Sequence, residues 1–199
     1  MEIIERVNYV LKEEAKAIQS VSVGGSYEDV VKLISKCPSK IVTTGIGKAG
    51  HIAHKFSATL SSTGTPSVFL HPAEAAHGDL GVVSPSDILI AFSTSGKSRE
   101  VIEILELARH LGVTHIIGVT FHPDSELRQH CEHILDMGVH KEACPLDLTP
   151  TTTIAVMLAI SDAIAISVME VNGFTKEEYG LRHHGGYLGR KARTDNQPN

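Results

Sequence analysis

The segment STSGKSRE, residues 93–100, places hydroxyls, a glycine and an acid within one short stretch. Ser93, Thr94, Ser95 and Ser98 surround Gly96, and an amphipathic helix begins near Ser98. Backbone N–H groups and hydroxyls at a helix start bind phosphate, and the helix dipole reinforces them. A plain capping role for Ser98 would satisfy the same residue. Glu100 follows within one turn. A carboxylate there could take a proton from carbon beside a carbonyl, the step that interconverts aldoses and ketoses through an enediol. An acid in a first helical turn is also what the dipole favours, so both readings stand. The segment lacks GxxxxGK[ST], and ATP hydrolysis is not expected.

A second glycine loop lies in TTGIGKAGHIA, residues 43–53, where Gly45, Gly47 and Gly50 have GxGxxG spacing. A dinucleotide site needs a preceding strand, a following helix and an acid about 20 residues on. The strand and helix are present in the pattern. The acid is missing, because the next strand ends in His71. Lys48 sits inside the loop, where it can serve as a point charge for phosphate. His71 and His77 bracket PAEAA ahead of Asp79. These types together raise the question of zinc, but no strict metal-ligand spacing is present. Near the C-terminus His183 and His184 precede Gly185 and Gly186, and paired glycines allow close backbone approach to a ligand or a neighbouring subunit. A flexible tail with incidental histidines is the plainer account.

These residues need a frame to bring them together. Short apolar runs read as strands at 40–45, 66–71, 87–93, 115–120 and 133–137, with helical stretches between them at 49–62, 98–111 and 124–131. The runs suit parallel strands covered on both faces, hence a three-layer α/β/α sandwich with a five-stranded parallel sheet. In such sheets ligands bind beyond the carboxyl ends of the strands, where both glycine loops and HPAEAAHGD fall. The N-terminal stretch carries an apolar stripe of Ile3, Val7, Val10, Leu11 and Ile18 and is read as a packing helix; a dimer contact is the alternative.

Composition narrows the function classes. The 199 residues are 42% hydrophobic and 21% charged, as in a globular domain. The formal charge of -5, without a basic stretch, argues against nucleic acid. Cys37, Cys131 and Cys144 lack CxxC spacing and fit a reduced, cytoplasmic setting. Acids interrupt the N-terminus, so it is not read as a signal peptide. Residues 153–171 are long and apolar enough to suggest a membrane span. Asp162 near their centre would cost about 2.5 to 3.5 kcal/mol there, and a buried core helix is expected instead, with no membrane partner.

Taken together, GIGKAGHIAHKFSATLSSTGTPSVFLHPAEAAHGDLG, STSGKSREV, EACPLDLTPTTTIAVMLAISDAIA and GFTKEEYGLRHHGGYLGR resemble the sugar isomerase (SIS) domain family, in its arabinose-5-phosphate isomerase branch. The resemblance implies a flavodoxin-like sandwich in residues 1–190, a single SIS domain with its N-terminal helix. It leaves 191–199 as a polar tail, and the paired CBS domains of many relatives are absent from the chain. It implies reversible conversion of D-ribulose 5-phosphate to D-arabinose 5-phosphate, supplying Kdo for lipopolysaccharide or capsule. It assigns phosphate binding to Ser93, Thr94, Ser95 and Ser98, with Thr44 and Gly45 bordering the pocket. It assigns catalysis to Lys48, His77, Glu100 and His183, and leaves His71 and His184 as further candidates. Where the family reads HPGG this chain reads HHGG, and register with the glycines favours His183 over His184. A homotetramer with shared active sites is implied, as His183 would enter a neighbour's site. No metal or organic cofactor is required, and GIGKAG would approach a sugar phosphate rather than a dinucleotide. With no regulatory module, CMP-Kdo is a candidate inhibitor at the active site itself. Competing expectations are a non-catalytic phosphosugar sensor and an isomerase of another phosphosugar.

Overall fold

The computed structural model describes residues 2–194. Five strands, β1 Ile41–Gly45, β2 Ser67–Leu70, β3 Ile88–Phe92, β4 His115–Thr120 and β5 His133–Asp136, form one sheet in the order β2-β1-β3-β4-β5. Every pairing is parallel; Thr44 lies opposite Leu70 on one side and Ala91 on the other. The expected strands are thus all present, each within a residue or so of its predicted bounds.

The strands alternate between two cores because their side chains point to opposite faces. Ile41, Ile88, Ile90, Phe92 and Ile117 face α1 Ile3–Gln19, α2 Gly25–Ser35, α3 Gly47–Ser62 and α6 Thr152–Val171. Val42, Leu89, Ala91 and Ile116 face α4 Pro72–Ala75, α5 Arg99–His110 and a 3-10 turn at Glu126–His130. This is the three-layer arrangement predicted. The stretch expected as a helix at 124–131 is that shorter 3-10 turn, entered from Ser125 in extended backbone.

Several elements lie outside the expectations, α4 and a 3-10 turn at Asp79–Val82 within HPAEAAHGD among them. α2 was not among the expected helices; its Tyr27, Val30 and Ile34 bury one helical face. Two C-terminal helices, α7 Lys176–Arg182 and α8 Gly186–Thr194, stand where a flexible tail was the plainer account, and α8 runs four residues into the stretch read as a polar tail. Residues 195–199 of that tail lie outside the described residues. The α1 stripe also behaves differently from a packing face. Ile3 is 81% exposed and Leu11 62%, and Ala17 is the residue of α1 that is buried. α6 is long and apolar enough to cross a membrane by length and composition. It packs along α1, α2 and α3, with Val156, Ile160 and Ile164 buried while Ile166 and Val171 stay exposed.

Candidate active site

β1 and β3 lie side by side, while their following helices α3 and α5 cover opposite faces. A crevice opens where such connections diverge. Here it becomes a cleft of about 520 Å³, lined by Lys48, Ser93, Thr94, Ser95 and Ser98 on one wall and by Glu142, Asp147 and Leu148 on another. A larger hollow of about 660 Å³ lies between α1, α2 and α6, but its lining is largely apolar. The polar cleft is the one where groups able to hold and transform an anion converge.

The glycines of the first loop serve packing. A Cβ on Gly50 would lie 2.6 Å from the Gly45 carbonyl oxygen, and one on Gly45 would lie 3.0 Å from the Phe92 carbonyl oxygen. The end of β1 therefore rests directly against the first turn of α3 and against β3. That contact brings Lys48, exposed in the same turn, to the cleft wall.

The second loop is folded so that its carbonyls are tied behind it. The Thr94 carbonyl accepts from Phe121 N–H and from Thr120 Oγ1, both at 3.2 Å, and the Gly96 carbonyl accepts from Leu127 N–H at 3.0 Å. Gly96 has φ +61°, and a Cβ there would fall 2.3 Å from Ser125 Cβ. Hydroxyls remain on the cleft side. Ser93 Oγ lies 3.2 Å from Ser98 Oγ and accepts from Gly96 N–H at 3.1 Å. Ser98 occupies the N-cap of α5, yet its side chain makes no capping hydrogen bond. Between the two readings of Ser98, this geometry favours the one in which the hydroxyl serves a ligand.

The facing wall comes from residues 140–154. Glu142 reaches the start of α6, where its carboxylate accepts from Thr151 N–H at 2.8 Å, from Thr152 N–H at 2.7 Å and from the Thr153 hydroxyl. Its own N–H donates to Asp147 Oδ1 at 2.7 Å. Asp147 has φ +52°, the one non-glycine residue with positive φ among those described. Strain of this kind concentrates at functional sites. Sequence reading missed Glu142. The available signal was an acid ten residues ahead of a helix whose first turn, TTIA, offers no acid of its own.

Other expected site residues lie elsewhere. Thr44 is fully buried under the strand ends with Oγ1 lacking a hydrogen-bond partner, and Gly45 is buried beside it. Glu100 is exposed in the first turn of α5, and His77 is exposed just beyond α4; neither lines the cleft. His71 caps α4, its Nδ1 accepting from Ala73 N–H at 3.3 Å. His183 ends α7 with its ring stacked on Tyr179 at 3.8 Å, and His184 is exposed next to it. One chain therefore assembles the hydroxyl loop of residues 93–98, Lys48 and an acidic wall, while His77, Glu100 and His183 stand outside that cleft. Among the described residues no three His, Cys, Asp or Glu side chains converge as a metal-ligand set.

Comparison with known proteins places this geometry. Residues 33–167 match the SIS domain family. Arabinose 5-phosphate isomerase KdsD of Pseudomonas aeruginosa is 42% identical over 180 residues, which cover 89% of this chain and 55% of that relative. The chain thus spans little more than half the length of that isomerase. A crystal structure from Bacteroides fragilis, described as a candidate phosphosugar isomerase involved in capsule formation, superposes with TM-score 0.90 at 44% identity, covering 94% of this chain and all of that one. An Escherichia coli CFT073 protein solved in complex with arabinose 5-phosphate superposes with TM-score 0.87 at 35% identity, covering 92% of this chain and all of that one.

Proposed function

The chain belongs to the SIS domain family, and on that premise we propose that it interconverts D-ribulose 5-phosphate and D-arabinose 5-phosphate. The observation that carries this reading is one cleft with a phosphate-type hydroxyl loop and Lys48 on one side and the Glu142 carboxylate on the other. The arabinose 5-phosphate complex of the Escherichia coli relative supports the same ligand class.

In this reading Ser93, Thr94, Ser95 and Ser98 hold the phosphate, with Lys48 as a point charge, while Thr44 and Gly45 lie buried behind the strand ends. A base removes a proton from C1 of the ketose while the C2 carbonyl oxygen gains one. The resulting enediol is protonated at C2 as the C1 hydroxyl gives up its proton, leaving the aldehyde. Atoms and electrons balance without an oxidant. Glu100, His77 and His183 are the acid–base candidates, with His71 and His184 beside them, and Glu142 joins them as an acid that, with Asp147, lines the cleft of its own chain.

Because His77, Glu100 and His183 stand apart from that cleft in a single chain, completion by neighbouring subunits, in a homotetramer, is part of the proposal. Exposed Ile3, Val7 and Leu11 on α1 support association. Mixing His183→Ala with Glu100→Gln subunits tests sharing: partial recovery of activity supports it, and no recovery counts against it. We place the reaction in the cytoplasm, upstream of Kdo for lipopolysaccharide or capsule, with CMP-Kdo binding the same cleft as an inhibitor. No effect of millimolar CMP-Kdo on turnover would remove that last element.

The rival reading is a phosphosugar sensor, favoured by the same separation, since a sensor needs the loop but no assembled acid–base set. Incubation of purified protein with ribulose 5-phosphate and a chelator decides. Formation of arabinose 5-phosphate supports the isomerase. Binding without turnover supports the sensor, and neither one directs attention to another phosphosugar.

A further inference from the structure

Three glycines follow His183 within six residues, Gly185, Gly186 and Gly189, and the structure gives them unequal roles. A Cβ on Gly185 would meet nothing within 4 Å, and its φ lies outside the left-handed region. Gly186 has φ +74°, the conformation that turns the chain from His183 into α8. Gly189 lies inside α8 with an ordinary helical φ. A Cβ on it would fall 1.7 Å from the His183 carbonyl oxygen, 2.8 Å from the carbonyl carbon and 3.3 Å from His183 Cβ. The atoms in the way are backbone, so no rotamer change relieves the clash. α8 sits on the His183 peptide at this point because residue 189 has no side chain.

The other side of His183 is held as well. Its N–H donates to the Tyr179 carbonyl at 3.1 Å, and Nδ1 lies 2.9 Å from the same oxygen. The imidazole stacks on the Tyr179 ring at 3.8 Å with 12° between the planes. Ring and backbone are thus fixed from opposite directions, by α7 and by α8. We infer that Gly189 is a positioning residue for His183: its missing side chain seats α8 on the His183 carbonyl and so sets the direction of the imidazole. The functional weight of this inference rests on the role given to His183 above.

The sign of the expected effect is unusual. Alanine in place of a mid-helix glycine ordinarily favours the helix. Here Gly189→Ala must push α8 off His183. Gly185→Ala, in the same motif, has open space and is the control. The experiment follows the His183 ring resonances by NMR in the full chain, identified by their loss in His183→Gln, alongside turnover of ribulose 5-phosphate. In Gly189→Ala the His183 signals should lose the ring-current shift imposed by Tyr179, and kcat should fall on the order of 10²-fold, as for a misplaced catalytic group, with KM little changed. Gly185→Ala should leave the His183 signals at their wild-type positions. Unmoved His183 signals in Gly189→Ala overturn the inference, as do equal effects in the two variants. Should Gly189→Ala fail to fold, Tyr187→Gly loosens α8 without adding a side chain at 189. A seat provided by α8 requires the His183 signals to move in that variant, and unmoved signals again overturn it. If the wild type does not turn over the sugar, the isomerase reading fails, and the resonances still decide the role of Gly189.

Discussion

The Glu142 carboxylate lies 2.7 Å from the amide nitrogen of Thr152, the first residue of α6, while the same side chain lines the cleft. A carboxylate at a helix N-terminus satisfies orphan N–H groups and complements the dipole. Here it also stands across the cleft from the hydroxyls of residues 93–98. The start of α6 and the wall of the cleft are therefore coupled through one residue. Glu142→Gln puts an amide NH₂ among groups that donate, so its effect on folding should be about 1–3 kcal/mol. Turnover should fall by about 10²–10⁴-fold if the acid takes part in proton transfer. Thermal unfolding and kcat measured on the same sample separate the two, and a lowered midpoint with normal kcat would restrict Glu142 to capping.

Ser95 is exposed on the cleft side of its loop, and its Oγ accepts only a long hydrogen bond from Lys97 N–H at 3.3 Å. Ser95→Ala should raise KM for the sugar phosphate and weaken binding of inorganic phosphate, with kcat changed less. An unchanged KM would contradict its place in the phosphate site.

Glu100→Gln should fold normally, because Glu100 is exposed and supports no packing. As the proposed base it should lose at least about 10²-fold in turnover. Near-normal turnover would take Glu100 out of the mechanism and leave Glu142 as the principal acid.

Gly50→Ala should destabilise the domain, as its Cβ would press on the Gly45 carbonyl from 2.6 Å. Overpacking of this kind costs about 1–3 kcal/mol, and it would shift α3 together with Lys48. Denaturant unfolding of the variant checks the first effect, and KM for the phosphosugar checks the second.

Cys144 should be the reactive thiol. Thr149 N–H at 3.2 Å and Leu148 N–H at 3.3 Å donate to its sulfur and bring its pKa down to about 7. Burial pushes Cys131 up to about 12. The thiolate is the reactive form, so its fraction at Cys144 grows as pH rises through 7. Alkylation should accelerate about fivefold from pH 6 to 7 and less than twofold from 7 to 8. Mass spectrometry of iodoacetamide-treated protein reads this directly, and equal labelling of Cys131 would contradict it.

Much of the architecture was legible because local patterns imposed it. Ile88 to Phe92 form a short apolar run bounded by Asp87 and Ser93, and a parallel strand buried on both faces has that signature. The loop after β3 was legible as a strand-to-helix turn, since hydroxyls and Gly96 stand between an apolar run and an amphipathic helix, and its Ser93, Thr94, Ser95 and Ser98 line the cleft. α2 was harder to see behind its glycines, although Tyr27, Val30 and Ile34 keep the helical period. The α1 stripe had helical spacing but no local sign of whether its face would be covered, and Ile3 and Leu11 are exposed.

By itself the sequence determined the alternation of strands and helices, the two glycine loops and the inventory of possible acids and bases. Those follow from side-chain periodicity and backbone preference, which act over a few residues. Only the tertiary structure decided which of those groups meet. Glu142 lies nearly fifty residues from Ser95 and gains its place because α6 starts beside the ends of β1 and β3. Glu100, five residues from Ser95, turns outward with the first turn of α5. The use of Gly189 likewise depends on where α8 crosses α7, a close approach of backbone to backbone that no local spacing specifies.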